Sequence, residues 1–152
     1  LSVMKDGAIA GYPMQNIKVS IFDGKEHPVD SKPVAFESAA RGAFKLAVKD
    51  AGPVLYEPIM KVRITVPGTN MGDVIGDLNT RRGRMQGTDT ERSMTTVIAD
   101  VPLAEMLRYT SQLRSITGGR GYFDMVFDRY EVVPSHVAGD IIAAAQSDEE
   151  EE

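Results

Sequence analysis

Arg81, Arg82 and Arg84 flank Gly83 and form the densest basic cluster of the sequence. Guanidinium groups in such a cluster can fork onto phosphate oxygens, and the same charges at a helix end can instead answer its negative pole. From the residues alone both readings are open. Thr117-Gly118-Gly119-Arg120-Gly121 divides the same way, between a plain helix-to-strand turn and a loop that lets backbone come close to RNA. His27 lies in the polar loop Asp23-Gly24-Lys25-Glu26-His27-Pro28, which has turn residues at both ends. Taken by itself it is an exposed loop histidine. Asp73 and Asp77 stand four apart, on what should be the exposed side of a helix, and two carboxylates alone underfill the shell of a hard cation.

Other chemistry is missing from the sequence. There is no Gly-x-x-x-x-Gly-Lys-Ser/Thr phosphate loop and no Gly-x-Ser-x-Gly elbow, and neither His27 nor His136 has a motif partner for nucleophilic catalysis. No catalytic residue, metal site or cofactor is expected in this chain. Cysteine is absent, which excludes disulfides and thiolate metal sites and makes a reducing, cytoplasmic location the natural expectation. No apolar run is long enough to span a membrane. The net charge of −5 is carried by Asp148 and Glu149 to Glu152, five acidic residues in a tail expected to be solvated and disordered; the remaining 17 basic and 17 acidic residues cancel. A start at Leu1 is expected of a processed chain or of a piece of a longer one.

The arginine cluster follows a short amphipathic stripe, Met71, Val74, Ile75 and Leu78, with Gly83 read as its left-handed stop. Before it, Met60, Val62, Ile64 and Val66 alternate with polar residues, a strand with one buried face. After it, 84–90 should be a short edge strand, and Val97, Ala99 and Val101 mark another. Leu103, Met106, Leu107 and Leu113 make a second helical stripe ended by Gly118 and Gly119, and Phe123, Met125 and Phe127 mark the inner face of a last strand. The two halves superpose at an offset of 35: Val62 on Val97, Val66 on Val101, Pro67 on Pro102, Met71 on Met106, Leu78 on Leu113, Gly83 on Gly118. Two consecutive β-α-β units of this size predict an α+β fold over 58–134, the ferredoxin-like split β-α-β sandwich. The candidate central strands carry no aromatic side chain on which a base could stack, so any RNA contact falls to loops, helix ends and basic side chains.

Residues 1–57 are simpler. Ile17, Val19 and Ile21 alternate as a strand over 16–22, and Pro33 opens a helix carrying Phe36, Ala40, Phe44 and Val48. A lone strand leaves both edges unpaired, so this segment reads as half of an α/β domain. Its missing strands should come from sequence before Leu1 or from pairing with a neighbouring chain. Residues 135–152 read as a terminal helix and the acidic tail.

Glu57-Pro58-Ile59-Met60-Lys61-Val62, Met71-Gly72-Asp73-Val74-Ile75-Gly76-Asp77-Leu78-Asn79 with Arg81-Arg82-Gly83, and Val101-Pro102-Leu103-Ala104-Glu105-Met106 resemble the C-terminal part of bacterial elongation factor G. Gly11-Tyr12-Pro13, Phe22-Asp23-Gly24, His27 and Val29-Asp30-Ser31 resemble the second half of that family's domain IV, and Leu113 to Pro134 continue its domain V. The resemblance implies that 1–57 is half of a ribosomal protein S5 domain 2-like fold. It implies a parent that is a translational GTPase, with GTP and magnesium bound in a part absent from this chain, moving tRNA and mRNA through the ribosome. It implies decoding-site contact for the tip loop (Lys25, His27, Asp30) and contact with ribosomal RNA in the large-subunit factor-binding region for Arg81, Arg82, Arg84 and Arg120. Two stretches depart from the family's usual pattern: the tip Gly24-Lys25-Glu26-His27-Pro28 lacks an aromatic before the histidine, and Thr88 to Thr95 differ as well. These departures fit a ribosome-recycling or protection paralogue. A free-standing ferredoxin-like binding module unrelated to translation is the alternative that the residues alone leave.

Overall fold

The computed structural model describes residues 3–29 and 31–150. In chain order the elements are α1 (Val3–Asp6), α2 (Pro33–Asp50), β1 (Tyr56–Pro67), a 3-10 turn (Gly68–Asn70), α3 (Met71–Thr80), β2 (Arg84–Glu91), β3 (Met94–Pro102), α4 (Leu103–Met106), α5 (Tyr109–Thr117), β4 (Tyr122–Val132) and α6 (Ser135–Glu150). They fall into two units, Tyr56–Val132 and Leu1–Leu55 with Val133–Glu152.

The first of these is the ferredoxin-like sandwich. β1 pairs antiparallel with both β3 and β4, and β2 pairs with β3, giving the order β2-β3-β1-β4. The alternation along β1 decides which face is buried. Val62, Ile64 and Val66 are fully buried, opposite Ala99, Val97 and Thr95 of β3. Val74 and Leu78 of α3, and Met106, Tyr109 and Leu113 of α4 and α5, complete the same apolar cluster, so the helices share one face of the sheet. Burying each such aliphatic side chain is worth about 1.5–3 kcal/mol, and this layer is the main source of the unit's stability.

Three expectations change here. The stripe over 103–117 is not one helix: the chain breaks after α4, where Arg108 takes φ −120°, and α5 begins at Tyr109. The break turns Leu107 out, 74% exposed, and puts the fully buried Tyr109 in the core instead, its ring edge-on to Phe123. Gly83 is not the left-handed stop of α3. Arg82 holds that conformation (φ 58°), and the Gly83 N–H closes the turn on Leu78 O at 2.8 Å. Glycine is required at 83 for space, because a Cβ there would lie 2.7 Å from Leu78 O. On β4, Met125 and Phe127 do lie on the core side, opposite Val62 and Met60, but both are exposed because β4 is the outer strand.

In the other unit, α2 follows its sequence signals: Pro33 sits in the first turn and Phe44 and Val48 are buried with Val3. The strand expected over 16–22 is absent. Residues 17–23 have no regular structure and Ile21 and Phe22 are almost fully exposed, because no described segment pairs with them and an extended run becomes a strand only by pairing. α6 runs on past Gln146 to Glu150, carried by the strong helix formers Ala143, Ala144 and Ala145; residues 151 and 152 lie outside the described residues.

Candidate functional site

The loop that carries His27 is exposed throughout. It is nevertheless locally bonded. The Ser31 hydroxyl accepts a hydrogen bond from His27 N–H and donates one to His27 O, both at 2.6 Å, and His27 Nδ1 accepts from Val29 N–H at 3.3 Å. The bond from Val29 turns Nδ1 toward the loop's own backbone. Asp23 Oδ1 caps the Gly24 N–H at 2.8 Å at the other side of the turn. Lys25 is exposed on the same loop, and Asp30 lies outside the described residues.

In the sheet unit the structure brings Arg81, Arg82 and Arg84 together, but each already holds an acid. Arg81 Nε donates to Asp77 Oδ2 at 2.8 Å and Nη1 to Glu105 O at 2.7 Å, and its guanidinium lies 5.1 Å from the centre of the Tyr109 ring. Asp77 is therefore the partner of Arg81, and the expected exposed carboxylate pair with Asp73 does not form; the described residues contain no cluster of three acidic or histidine groups fit for a metal ion. Arg82 makes a two-pronged bond to Glu57, Nη1 to Oε1 at 2.6 Å and Nη2 to Oε2 at 3.0 Å, while Nε donates to Glu105 Oε1 at 3.0 Å. The Glu57 bonds, against the cost of burial, raise the Arg82 pKa. Arg84 pairs with Glu131 of β4.

Sequence reasoning missed Arg129, which ties this end of the sheet together. It bonds Glu131 Oε1 at 2.7 Å and Asp100 Oδ2 at 3.1 Å, and also Asp128, the extra residue of the bulge where β4 slips against Ile59 and Met60. Those three acids raise the Arg129 pKa, and Arg129 together with Arg84 holds the Glu131 carboxyl below its ordinary value. Tyr109 is pushed the other way: burial, with the Asp77 charge behind it, raises its hydroxyl pKa. No signal in the sequence joins residues 57, 82 and 105, or 84, 100 and 131, because only the folded arrangement of strands, turn and helix makes them neighbours.

Arg120 lies elsewhere, in the turn after α5. Gly118 (φ 60°) and Gly119 (φ 82°) both take the left-handed conformation that ends the helix. Thr117 Oγ1 donates to Leu113 O at 2.8 Å and accepts from Gly121 N–H at 3.0 Å, and Arg120 Nε donates to Thr117 O at 3.1 Å. Its two terminal nitrogens meet no acid among the described residues.

This architecture and these loops have known counterparts. The family model described as elongation factor G C-terminus matches residues 54–141, and that of elongation factor G, domain IV, matches residues 2–52. The chain belongs to the elongation factor G family. Elongation factor G of Aquifex pyrophilus is 51% identical over 139 residues, 91% of this chain and 20% of that protein. An elongation factor G-like protein of Thermotoga maritima is 47% identical over 150 residues, 98% of this chain and 22% of that protein. A crystal structure from Thermus thermophilus aligns with a TM-score of 0.76 at 40% identity, over 96% of this chain and 22% of that one. The chain thus spans about a fifth of the length of the elongation factor G relatives it matches. The boundary between the two family models, at 52–54, falls just before β1. No helix among the described residues is long and apolar enough to cross a membrane.

Proposed function

We propose that this chain is the ribosome-contacting C-terminal region of a GTP-dependent elongation factor that moves tRNA and mRNA. The observation that carries the reading is the unbroken succession of the two family models along one chain, domain IV and then the C-terminal domain. The chemistry of the parent, with GTP and magnesium, belongs to parts outside this sequence. In this reading the loop Gly24 to Ser31 is a contact tip. Its His27 ring is oriented by Val29 N–H, an imidazole suited to hydrogen bonding with a phosphate or base edge in the decoding site. Lys25 adds charge beside it, and Asp30 shares the loop. Of the four arginines that the resemblance points to, Arg120 has donors to spare for ribosomal RNA, and Arg81, Arg82 and Arg84 serve that contact by holding β1, α4 and β4 in place.

Co-sedimentation of the full-length parent with ribosomes tests the proposal: it should pellet with them when loaded with a non-hydrolysable GTP analogue, and failure to pellet under any nucleotide condition refutes it. A second reading, a recycling or protection paralogue, is favoured by the tip sequence, where Glu26 rather than an aromatic precedes His27. Translocation and ribosome splitting measured side by side in the parent separate the two.

A further inference from the structure

β4 is an outer strand of the order β2-β3-β1-β4, so the side of its backbone turned away from β1 has no strand beside it among the described residues. It is eleven residues long, and Tyr122, Met125, Val126, Phe127 and Tyr130 are all exposed along it. The register with β1 sorts these side chains by face. Phe123, Met125 and Phe127 lie on the core side, opposite Ile64, Val62 and Met60, and Tyr122, Asp124 and Val126 lie on the other, opposite Thr65, Arg63 and Lys61. Asp128 is the bulged residue. Beyond it Arg129 joins the second set, opposite Ile59, and Tyr130 joins the first, its ring 5.1 Å from that of Phe127. The other outer strand, β2, differs. Arg84, Asp89 and Glu91 are exposed along it and a bulge beside Gly87 interrupts it, which is the charged and broken edge of a strand that stays in solvent.

We propose that the free edge of β4 pairs antiparallel with β4 of a second copy of this chain. The pairing is independent of the ribosome-contacting reading. Residues opposite each other in a ladder must share a face, and this limits the registers. A two-fold axis through the Val126 pair, with Asp128 left out of the ladder on both strands, sets Met125 opposite Phe127, Asp124 opposite Arg129 and Phe123 opposite Tyr130. Apolar meets apolar, acid meets base, and symmetry makes each of these pairs twice. Neighbouring registers are worse: an axis at Phe127 opposes Asp124 to Glu131, and one at Met125 leaves Asp124 opposite Val126. The charges are available for the match. Asp124 forms no ion pair among the described residues, and Arg129 Nη1 spends one of its two hydrogens, on Asp128. The outward N–H and C=O groups of an apolar edge strand gain partners in the same step.

Sedimentation of the 152-residue chain over a concentration series tests the pairing, and the mass should rise from 16.6 kDa toward twice that value. A chain that stays at the single mass throughout overturns the proposal. Introduced cysteines read the register, because the chain has none of its own. Under mild oxidation Val126→Cys should give a covalent dimer, since residues paired across an antiparallel ladder have Cα atoms about 4.5–5.5 Å apart, within reach of a disulfide. Tyr122→Cys should not, because the same axis puts its two copies about 27 Å apart along the strands. Equal crosslinking at the two positions marks random collision and overturns the proposal. So does a dimer crosslinked by Ile21→Cys alone, which is joined through the unpaired run at 16–22 instead. Asp124→Lys faces Arg129 in both copies and should weaken the dimer on the order of tenfold, whereas Asp124→Glu should keep it. Asp124 is exposed and holds no ion pair in the monomer, so unchanged association of the lysine variant overturns the register.

Discussion

Arg82 joins two opposed effects in one residue. Its side chain bonds Glu57 of β1 at two points and Glu105 of α4 at a third, with 23% of it exposed against 12% and 33% for the acids. Its backbone sits at φ 58°, where a Cβ costs about 1–2 kcal/mol relative to glycine. Replacing it with alanine keeps the strain, removes all three bonds and leaves Glu57 mostly buried without a partner. Breaking a fully buried pair costs about 3–5 kcal/mol, and partial exposure brings the figure here to about 2–3 kcal/mol. Replacing it with glycine loses the same bonds but releases the strain, so Arg82→Gly should be more stable than Arg82→Ala by about 1 kcal/mol, against the usual order of the two residues at a helical site. Urea unfolding followed by the near-ultraviolet signal of the buried Tyr109 measures both variants. A glycine variant equal to or less stable than the alanine variant refutes the assignment of Arg82 as the strained left-handed cap. Adding Glu57→Gln gives a double-mutant cycle, and a coupling near zero refutes the ion pair's part in the balance.

Other consequences are simpler to state. Gly83→Ala should destabilise the sheet unit by about 1–3 kcal/mol, because its Cβ must displace Leu78 O, 2.7 Å away; thermal melting checks it, and no change in midpoint contradicts the close approach. Glu131 is held ionised by Arg129 and Arg84, so its folded pKa is below the ordinary value of 4.5. Its contribution is therefore complete above that value and is lost as pH falls through the lower, folded-state one. Glu131→Gln should flatten the acid limb of stability against pH and leave its slope near neutrality unchanged, as urea midpoints followed from strongly acidic to neutral pH can show.

The part of the fold legible in the sequence is the part that local period controls. Val62 with Val97, and Leu78 with Leu113, occupy matching buried places as their spacing of 35 implies, and Pro67 and Pro102 both end a strand at the start of a helical turn. The same repeat misleads at its last pair: Gly118 is left-handed, but at Gly83 that task has passed to Arg82, whose side chain has partners 25 and 23 residues away that hold it. Residues 16–22 alternate well, yet alternation states only which face would be buried and supplies no strand to pair with. Family resemblance named the tip loop and four arginines because motifs persist in order along the chain, but that Arg81, Arg82 and Arg84 are matched by acids was visible only in the fold.

Whether the chain touches the ribosome as part of a translocating elongation factor is read from His27→Ala in the full-length parent with two rates followed together. Movement of tRNA and mRNA should slow by about tenfold, equivalent to roughly 1.4 kcal/mol less stabilisation of the moving state, while ribosome-stimulated GTP hydrolysis keeps its rate. Unchanged movement, or hydrolysis that falls together with it, refutes a pure contact role for the tip.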